Sequence, residues 1–366
     1  MHGRQSESGQ SPVRGREKHR SSIAVWTAVA AAGLALGVTA VLVAPGVFAP
    51  VVTEPGASSL PPVDPPSASG PTTSVEDPVV PIDTQGTNTR LPTPVSTIQF
   101  DAQRAMETLR HLESFGVRKG GSTAETEAMD WLQQQLRDLG YAARTEEVPL
   151  PDGSVSHNVI ARAAGTSLRA VVLGAHVDSK PPSPGANDNA SGCGALLEIA
   201  RIVARQPVTP TVEFVFFGSE EIFDDDPDHH HLGSRHRVST MTATERANTA
   251  GMISVDMIAY GPDFHSRTML RGPQQMSEIL LAQAQASGVE MTFLKDPGVT
   301  GWSDHEPYEL AGIPAAWIEW SDDPVYHTAD DTSDHCDAEN IRIAGQLVLD
   351  VIRSLDAADL EALVAR

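Results

Sequence analysis

The chain has 366 residues, with 26 Lys and Arg against 48 Asp and Glu, a formal net charge of −22 and a sequence pI near 4.8. Such a balance excludes nucleic acid as a partner, because phosphate binding needs clustered Lys and Arg, and an acidic surface mainly favours solubility. Two cysteines, Cys193 and Cys336, are too few for a disulfide framework and lack zinc-knuckle spacing, which leaves a single bridge between them open.

Residues 1–22 form a basic tail in which Arg4, Arg14, Arg16, Lys18 and Arg20 outweigh Glu7 and Glu17. Residues 23–44 (Ile23 to Ala44) carry no charge. As a helix that run spans about 33 Å, enough for a bilayer core of roughly 30 Å. The positive-inside rule keeps the tail in the cytoplasm and predicts a single-pass protein of the cell membrane with the rest of the chain extracytoplasmic. The alternative is secretion after signal cleavage, with Val47 and Ala49 before the cut; Pro50 directly after it and the length of the run speak against this. Residues 45–96 hold twelve of the 27 prolines among Ser, Thr, Val and Asp. That composition cannot bury enough apolar surface to offset its ordering entropy, so the segment is read as a disordered, semi-rigid spacer.

Residues 97–366 change to a globular pattern. Thr97 to Phe115 and Thr123 to Leu139 carry apolar residues at helical spacing, as in Met129, Trp131, Leu132 and Leu136. Beyond them, short apolar runs at Ala170–Leu173, Val212–Phe217, Gly251–Val255 and Ala315–Ile318 alternate with helical patterns at Ala195–Val203 and Pro273–Ala286, and Ala338–Leu363 closes the chain. This alternation predicts an α/β domain with a mainly parallel mixed sheet sandwiched by helices. Ligands in such folds sit beyond the carboxyl ends of the strands.

Each strand candidate empties into possible metal ligands. VVLGAHVDS ends in His176 and Asp178, VEFVFFGSEE in Glu220 and Glu221, and GMISVDM in Asp256, while loops add Asp188 in GANDNASG and His327 in VYHTADDT. His, Asp and Glu are the donors on which a hydrolytic zinc site draws. His176 and Asp178 differ by two positions and share a face of an extended backbone, so Asp178 can orient the imidazole without touching metal. Gly185 and Gly192 let the backbone approach closely around Asp188, whose carboxylate could bridge two ions roughly 3.5–4 Å apart. An adjacent Glu-Glu pair at a turning strand end suggests one ligand and one general base.

HVDS, GANDNASG, FFGSEE, SVDMIAYG, GWSDHEPYELAGIP and YHTADDT, in this order, resemble the secreted di-zinc aminopeptidase family, which also includes glutamate carboxypeptidases and, more distantly, glutaminyl cyclases. The resemblance runs from about Thr97 to the C-terminus and implies a phosphorylase/hydrolase-like zinc exopeptidase fold holding two Zn²⁺ per chain. It implies one zinc on His176, Asp188 and Asp256, and a second on Asp188, Glu221 and His327, with Asp188 shared. By the same resemblance Glu220 is the general base, Asp178 the partner of His176, and Tyr326 a donor to the oxyanion; a cis peptide is expected between Asp188 and Asn189. The expected activity is removal of N-terminal amino acids from a peptide or small amide. Alternatives are a carboxypeptidase, a single-zinc glutaminyl cyclase, or a non-catalytic membrane-tethered binding protein.

The stretch IFDDDPDHHH (222–231) stands where the family has a shorter run before Leu-Gly-Ser-Arg, and is read as an inserted, solvated loop at the rim of the site. Consecutive residues point in different directions, so His229, His230 and His231 are expected to be dispensable; the sharper alternative is a third metal site or a substrate contact. Asp322, Asp323, Asp330, Asp331 and Asp334 are read as a hydrated acidic rim. The segment Ser303, Asp304 and His305 lines the substrate pocket in the family. The sequence leaves side-chain preference and oligomeric state unread.

Overall fold

The short apolar runs form the centre of one mixed sheet in the computed structural model, which describes residues 97–365. The basic tail, the run 23–44 and the spacer 45–96 lie outside the described residues. Helices α1 (Ala102–Glu113) and α2 (Thr123–Asp138) lead into strands β1 (Arg144–Pro149) and β2 (Val155–Ala163). Strand β3 (Ala170–His176), α3 (Ser191–Val203), β4 (Thr211–Phe217), α4 (Leu232–Thr240), α5 (Ala243–Asn248) and β5 (Thr249–Val255) follow. The domain continues through β6 (Asp263–Thr268), α6 (Gln275–Ser287), β7 (Thr292–Lys295), α7 (His305–Leu310), β8 (Ala315–Ser321), α8 (Ala338–Ser354) and α9 (Ala357–Val364).

The eight strands lie in the order β1-β2-β4-β3-β5-β8-β6-β7. Strands β4, β3, β5 and β8 run parallel at the centre, while β2 pairs antiparallel with β4, and β6 antiparallel with β8. Both faces of the central strands are covered, because side chains alternate across the pleat. Val171, Leu173, Phe214, Phe216, Ile253 and Val255 join the core beneath α1, α3 and α8. Val172, Val215, Phe217 and Met252 pack on the opposite face with Val238 of α4 and Tyr308 of α7.

Two element boundaries differ from expectation for identifiable reasons. Helix α1 begins after Thr97 because Asp101 caps it, accepting from the amides of Gln103 and Arg104. The closing helix is two helices, α8 and α9: Leu355 is extended (ψ 115°), and Asp356 starts α9 with a reciprocal capping box to Asp359. Strands β1, β2, β6 and β7 were not readable as apolar runs, since they alternate or carry polar residues, as in RTEEVP and DFHSRT. Among the described residues no helix is long and apolar enough to cross a membrane.

Candidate metal centre

The carboxyl ends of β3, β4 and β5 bring together the residues that the sequence places far apart. His176 is the last residue of β3, Glu220 and Glu221 follow β4 by a short turn, and Asp256 directly follows β5. Asp188 arrives in the tight turn 186–190 between β3 and α3, which follows left-handed Gly185 (φ 67°) and contains a cis peptide from Asp188 to Asn189. Two neighbours pin that turn. Asn189 donates through Nδ2 to the Val255 carbonyl (3.0 Å), and Asp331 accepts from the amides of Asn187 (2.7 Å) and Asp188 (3.3 Å).

The resulting geometry has two converging trios. His176 Nε2 lies 3.1 Å from Asp188 Oδ1 and 3.4 Å from Asp256 Oδ1. His327 Nε2 lies 3.1 Å from Asp188 Oδ2 and 2.9 Å from Glu221 Oε1. Asp188 thus offers one oxygen to each trio, as a bridging carboxylate does. In both trios the donor atoms lie within 4.8 Å of one another.

A test of fit comes from the buried polar atoms. Asp256 Oδ1, Glu221 Oε1 and His327 Nε2 are buried and find no partner in hydrogen-bond geometry, although their neighbours are close. Buried polar groups normally have partners, so atoms that approach without bonding share a point aimed at by all of them. Electrostatics agree. Burial, then the Asp188 charge, pushes the Glu221 carboxyl up to about 8, and burial also raises Asp256. Burial opposes ionisation of Asp188 too, but His176 and His327 outweigh it and hold that carboxyl low. A divalent cation in each trio would relieve this crowding of carboxylates. The residues fit two such ions.

Residues 158–352 match the model of peptidase family M28. The chain belongs to this family. Among curated relatives, the Bacillus subtilis aminopeptidase YwaD is 32% identical over 49% of this chain. The match covers 39% of YwaD, so the chain spans less than half of that relative's length. A solved leucine aminopeptidase precursor from Bacteroides thetaiotaomicron superposes with a TM-score of 0.63 at 26% identity, covering 72% of this chain and 100% of that one. A Bacteroides thetaiotaomicron glutaminyl cyclase bound to N-acetylhistamine superposes with a TM-score of 0.62 at 25% identity, covering 71% and 100%.

Other residues singled out in this M28 sequence fall into place with some corrections. Asp178 lies past the end of β3, 3.5 Å from His176 Nδ1, which is nearer the Asp178 carbonyl (3.1 Å). Its carboxylate also accepts from the amides of Glu220 (2.9 Å) and Glu221 (3.1 Å), so it sets the Glu-Glu pair as well. Tyr326 is half-exposed, stacks on His327 with centroids 3.6 Å apart and lines the cleft. Asp322, Asp330 and Asp334 are exposed as expected, whereas Asp331 is buried because it accepts the backbone amides named above, and the Asp323 carboxylate is buried because it accepts from Asn187 Nδ2 (2.7 Å) and the Val325 amide (2.9 Å). Ser303, Asp304 and His305 lie buried beneath the site, and Ser303 Oγ donates to Asp256 Oδ2 (2.7 Å). Cys193 and Cys336 are free thiols.

The largest correction concerns the three histidines. His229 is partly exposed against Asp224, but His230 and His231 are buried at 7% and 3% exposure rather than solvated. His231 adopts a left-handed backbone (φ 52°) just before α4, which turns the chain inward. Its Nε2 lies 3.0 Å from Glu220 Oε1 and its Nδ1 3.0 Å from Glu306 Oε2. Burial opposes a charge on His231, but Glu220 first and Glu306 after it push its pKa up to about 10. Sequence reasoning missed this contact because a reversal in backbone direction at a non-glycine residue leaves no periodic signal.

Both donor trios, Glu220, His231 and Tyr326 open onto one cleft of about 620 Å³. One wall is aromatic: the buried Arg267 guanidinium lies over Trp317 (4.7 Å) and Trp302 (5.4 Å) and pairs with Asp296 and Glu319. The floor is acidic.

Proposed function

We propose that this protein is a metal-dependent exopeptidase that releases N-terminal amino acids from peptides, using two zinc ions and Glu220 as the general base. The observation that carries this reading is the split of the Asp188 carboxylate between His176 and His327, which completes two donor trios at one strand edge. His176, Asp188 and Asp256 would hold one ion, and Asp188, Glu221 and His327 the other. Ions held there would supply Lewis acidity toward the scissile carbonyl and the attacking water.

The chain's own residues supply the proton traffic and the orientation. Glu220 is kept ionised in spite of its burial because His176 and His231 outweigh the neighbouring carboxylates, so it can take the proton of the attacking water and return it to the departing amine. Asp178 fixes the backbone of Glu220 and Glu221 through both of its oxygens, which aims one at the base position and the other at the metal position. Ser303 holds Asp256 from behind. Tyr326, which lines the cleft beside His327, would donate to the developing oxyanion. Asp322, exposed at the same cleft, suits a free α-ammonium, which favours an exopeptidase that takes the N-terminus.

A glutaminyl cyclase is the second reading, and the superposition on such an enzyme favours keeping it. That reading expects one metal per chain and pyroglutamate as product, whereas both trios are complete here. We further propose that residues 23–44 tether the domain outside the cytoplasm. The deciding experiment offers the purified protein a panel of amino-acid 4-nitroanilides and an N-terminal glutaminyl peptide, with and without chelator. Chelator-sensitive release of nitroaniline supports the aminopeptidase; ring closure of the glutaminyl peptide alone, or inactivity across the panel, overturns it.

A further inference from the structure

The strongest feature unused so far is the chain Glu306–His231–Glu220. Imidazole has nitrogens on opposite sides of its ring, so it can face two carboxylates at once, and His231 does so at 3.0 Å on either side. Glu306 is itself fastened. Its Oε2 accepts from the Gly301 amide (3.1 Å) and its Oε1 from Arg235 Nη2 (3.1 Å). The His231 amide also donates to the Glu220 carbonyl (2.6 Å), so backbone and side chain lock to the same residue.

We propose that His231 is a positioning residue for the reaction: anchored on Glu306, it holds one oxygen of the Glu220 carboxylate and leaves the other to the reacting proton. This rests on the reading of Glu220 as the base. Among the described residues His231 is the side chain that pairs directly with Glu220, whose carboxylate would otherwise have only the more distant charge of His176 against the like charges of Asp188, Glu221 and Asp256. A base held by a second group is the general requirement for a productive constellation. His231 also ends the segment 222–231, whose Ile222, Pro227 and His230 line the cleft. Seating of this wall and orientation of the base are therefore one event.

A third metal ion on His230, His231 and Glu306 is the competing use of the same residues. The arrangement opposes it. Arg235 Nη2 already lies 2.8 Å from His230 Nε2 and 3.1 Å from Glu306 Oε1, which puts a fixed positive charge beside the place a cation would take.

The test compares zinc-loaded wild type with His231→Ala, His231→Gln, Glu306→Gln and His229→Ala, measuring kcat, KM, metal content and thermal unfolding of each. His231→Ala is expected to lower kcat roughly 10- to 100-fold with KM little changed and both ions retained, as for other groups that orient a reacting residue. His231→Gln is expected to recover most of the loss, because its amide reaches Glu220 but not Glu306 as well. His229→Ala should behave as wild type. A wild-type kcat in His231→Ala, a loss that tracks metal content, or a third ion that Glu306→Gln removes, would each overturn the proposal. Inactive wild type would fail the proposed function instead; crystal structures of the zinc-loaded wild type and His231→Ala then decide, and an unmoved Glu220 carboxylate sinks this inference.

Discussion

Asp188 meets His327 through Oδ2 at 3.1 Å, the oxygen left over once Oδ1 has turned to His176 at the same distance. One carboxylate therefore serves both trios, and the two kinds of ligand variant should differ in stoichiometry. Glu221→Ala removes a donor from one trio only, so metal content is expected to fall from about two ions per chain to about one. Asp188→Ala weakens both trios and should fall further. Elemental analysis after dialysis reads this directly, and equal content in the two variants would contradict a shared carboxylate.

Asp178 separates orientation from ligation. Its oxygens accept from the amides of Glu220 and Glu221, so Asp178→Ala frees the turn that presents both. Activity is expected to drop roughly 10- to 100-fold while the first trio keeps its metal. Asp178→Asn retains one acceptor oxygen and should fall between the variant and wild type. If Asp178→Ala hydrolysed substrate as fast as wild type, the amide contacts would have no bearing on the chemistry.

The thiols offer a check independent of catalysis. Cys193 is fully buried and donates to the His176 carbonyl at 3.1 Å, and burial pushes its thiol up to about 12. Burial raises Cys336 as well. Neither is a thiolate near neutrality, so both should react slowly with a disulfide reagent in the folded protein and fast in denaturant. The intact mass should show two free thiols. Rapid native labelling of Cys193 would mean that β3 opens at its carboxyl end.

Gly192 marks where the bridging turn meets the sheet. A Cβ there would lie 2.0 Å from the Val255 carbonyl oxygen and 2.5 Å from Asn189 Oδ1, both fixed by the Asn189–Val255 bond. Gly192→Ala must push the start of α3 away from β5 and carry Asp188 with it. We expect a loss near the upper end of the about 1–3 kcal/mol of overpacked cores, seen as a Tm lower by roughly 5–10 °C. Metal affinity should fall in parallel. An unchanged Tm would show that the turn can yield.

How far the sequence discloses this centre follows from the kind of information each residue carries. The four central strands are buried on both faces, so their apolar runs stand out, and His176, Glu221 and Asp256 follow from where those runs stop. Asp188 and His327 sit in loops and were reached through ordered motifs rather than through periodicity. Strands β1 and β7 lie at the edges of the sheet, where polar residues hide the alternation. Asp331 and His231 are buried where composition predicts surface groups, and for a common reason. Each is polar, in a segment rich in Asp or His, and turned inward by a backbone feature, amide acceptance for Asp331 and a left-handed residue for His231, that composition does not encode.

The Glu306–His231 contact also sets how stability responds to acid. Burial opposes ionisation of Glu306, but its hydrogen bond to His231 and the charges of His231, His230 and Arg235 together outweigh this and hold the carboxyl at about 2, below its usual 4.5. An acid with a depressed folded pKa stabilises the fold above its unfolded value and loses that contribution as pH falls toward its folded value. The Glu306 contribution is therefore present above about 4.5 and disappears toward about 2. His230 acts in the same direction over a higher window: burial first, then His231, lowers it to about 4, so its protonation costs stability as pH falls from 6.5. Thermal unfolding of metal-free protein isolates these groups from loss of the ions. At pH 7 Glu306→Gln should melt below wild type, and the gap should close as pH falls from about 4.5 toward 2. A gap of constant size across that range would mean that the carboxylate of Glu306 carries no charge-dependent part of the fold.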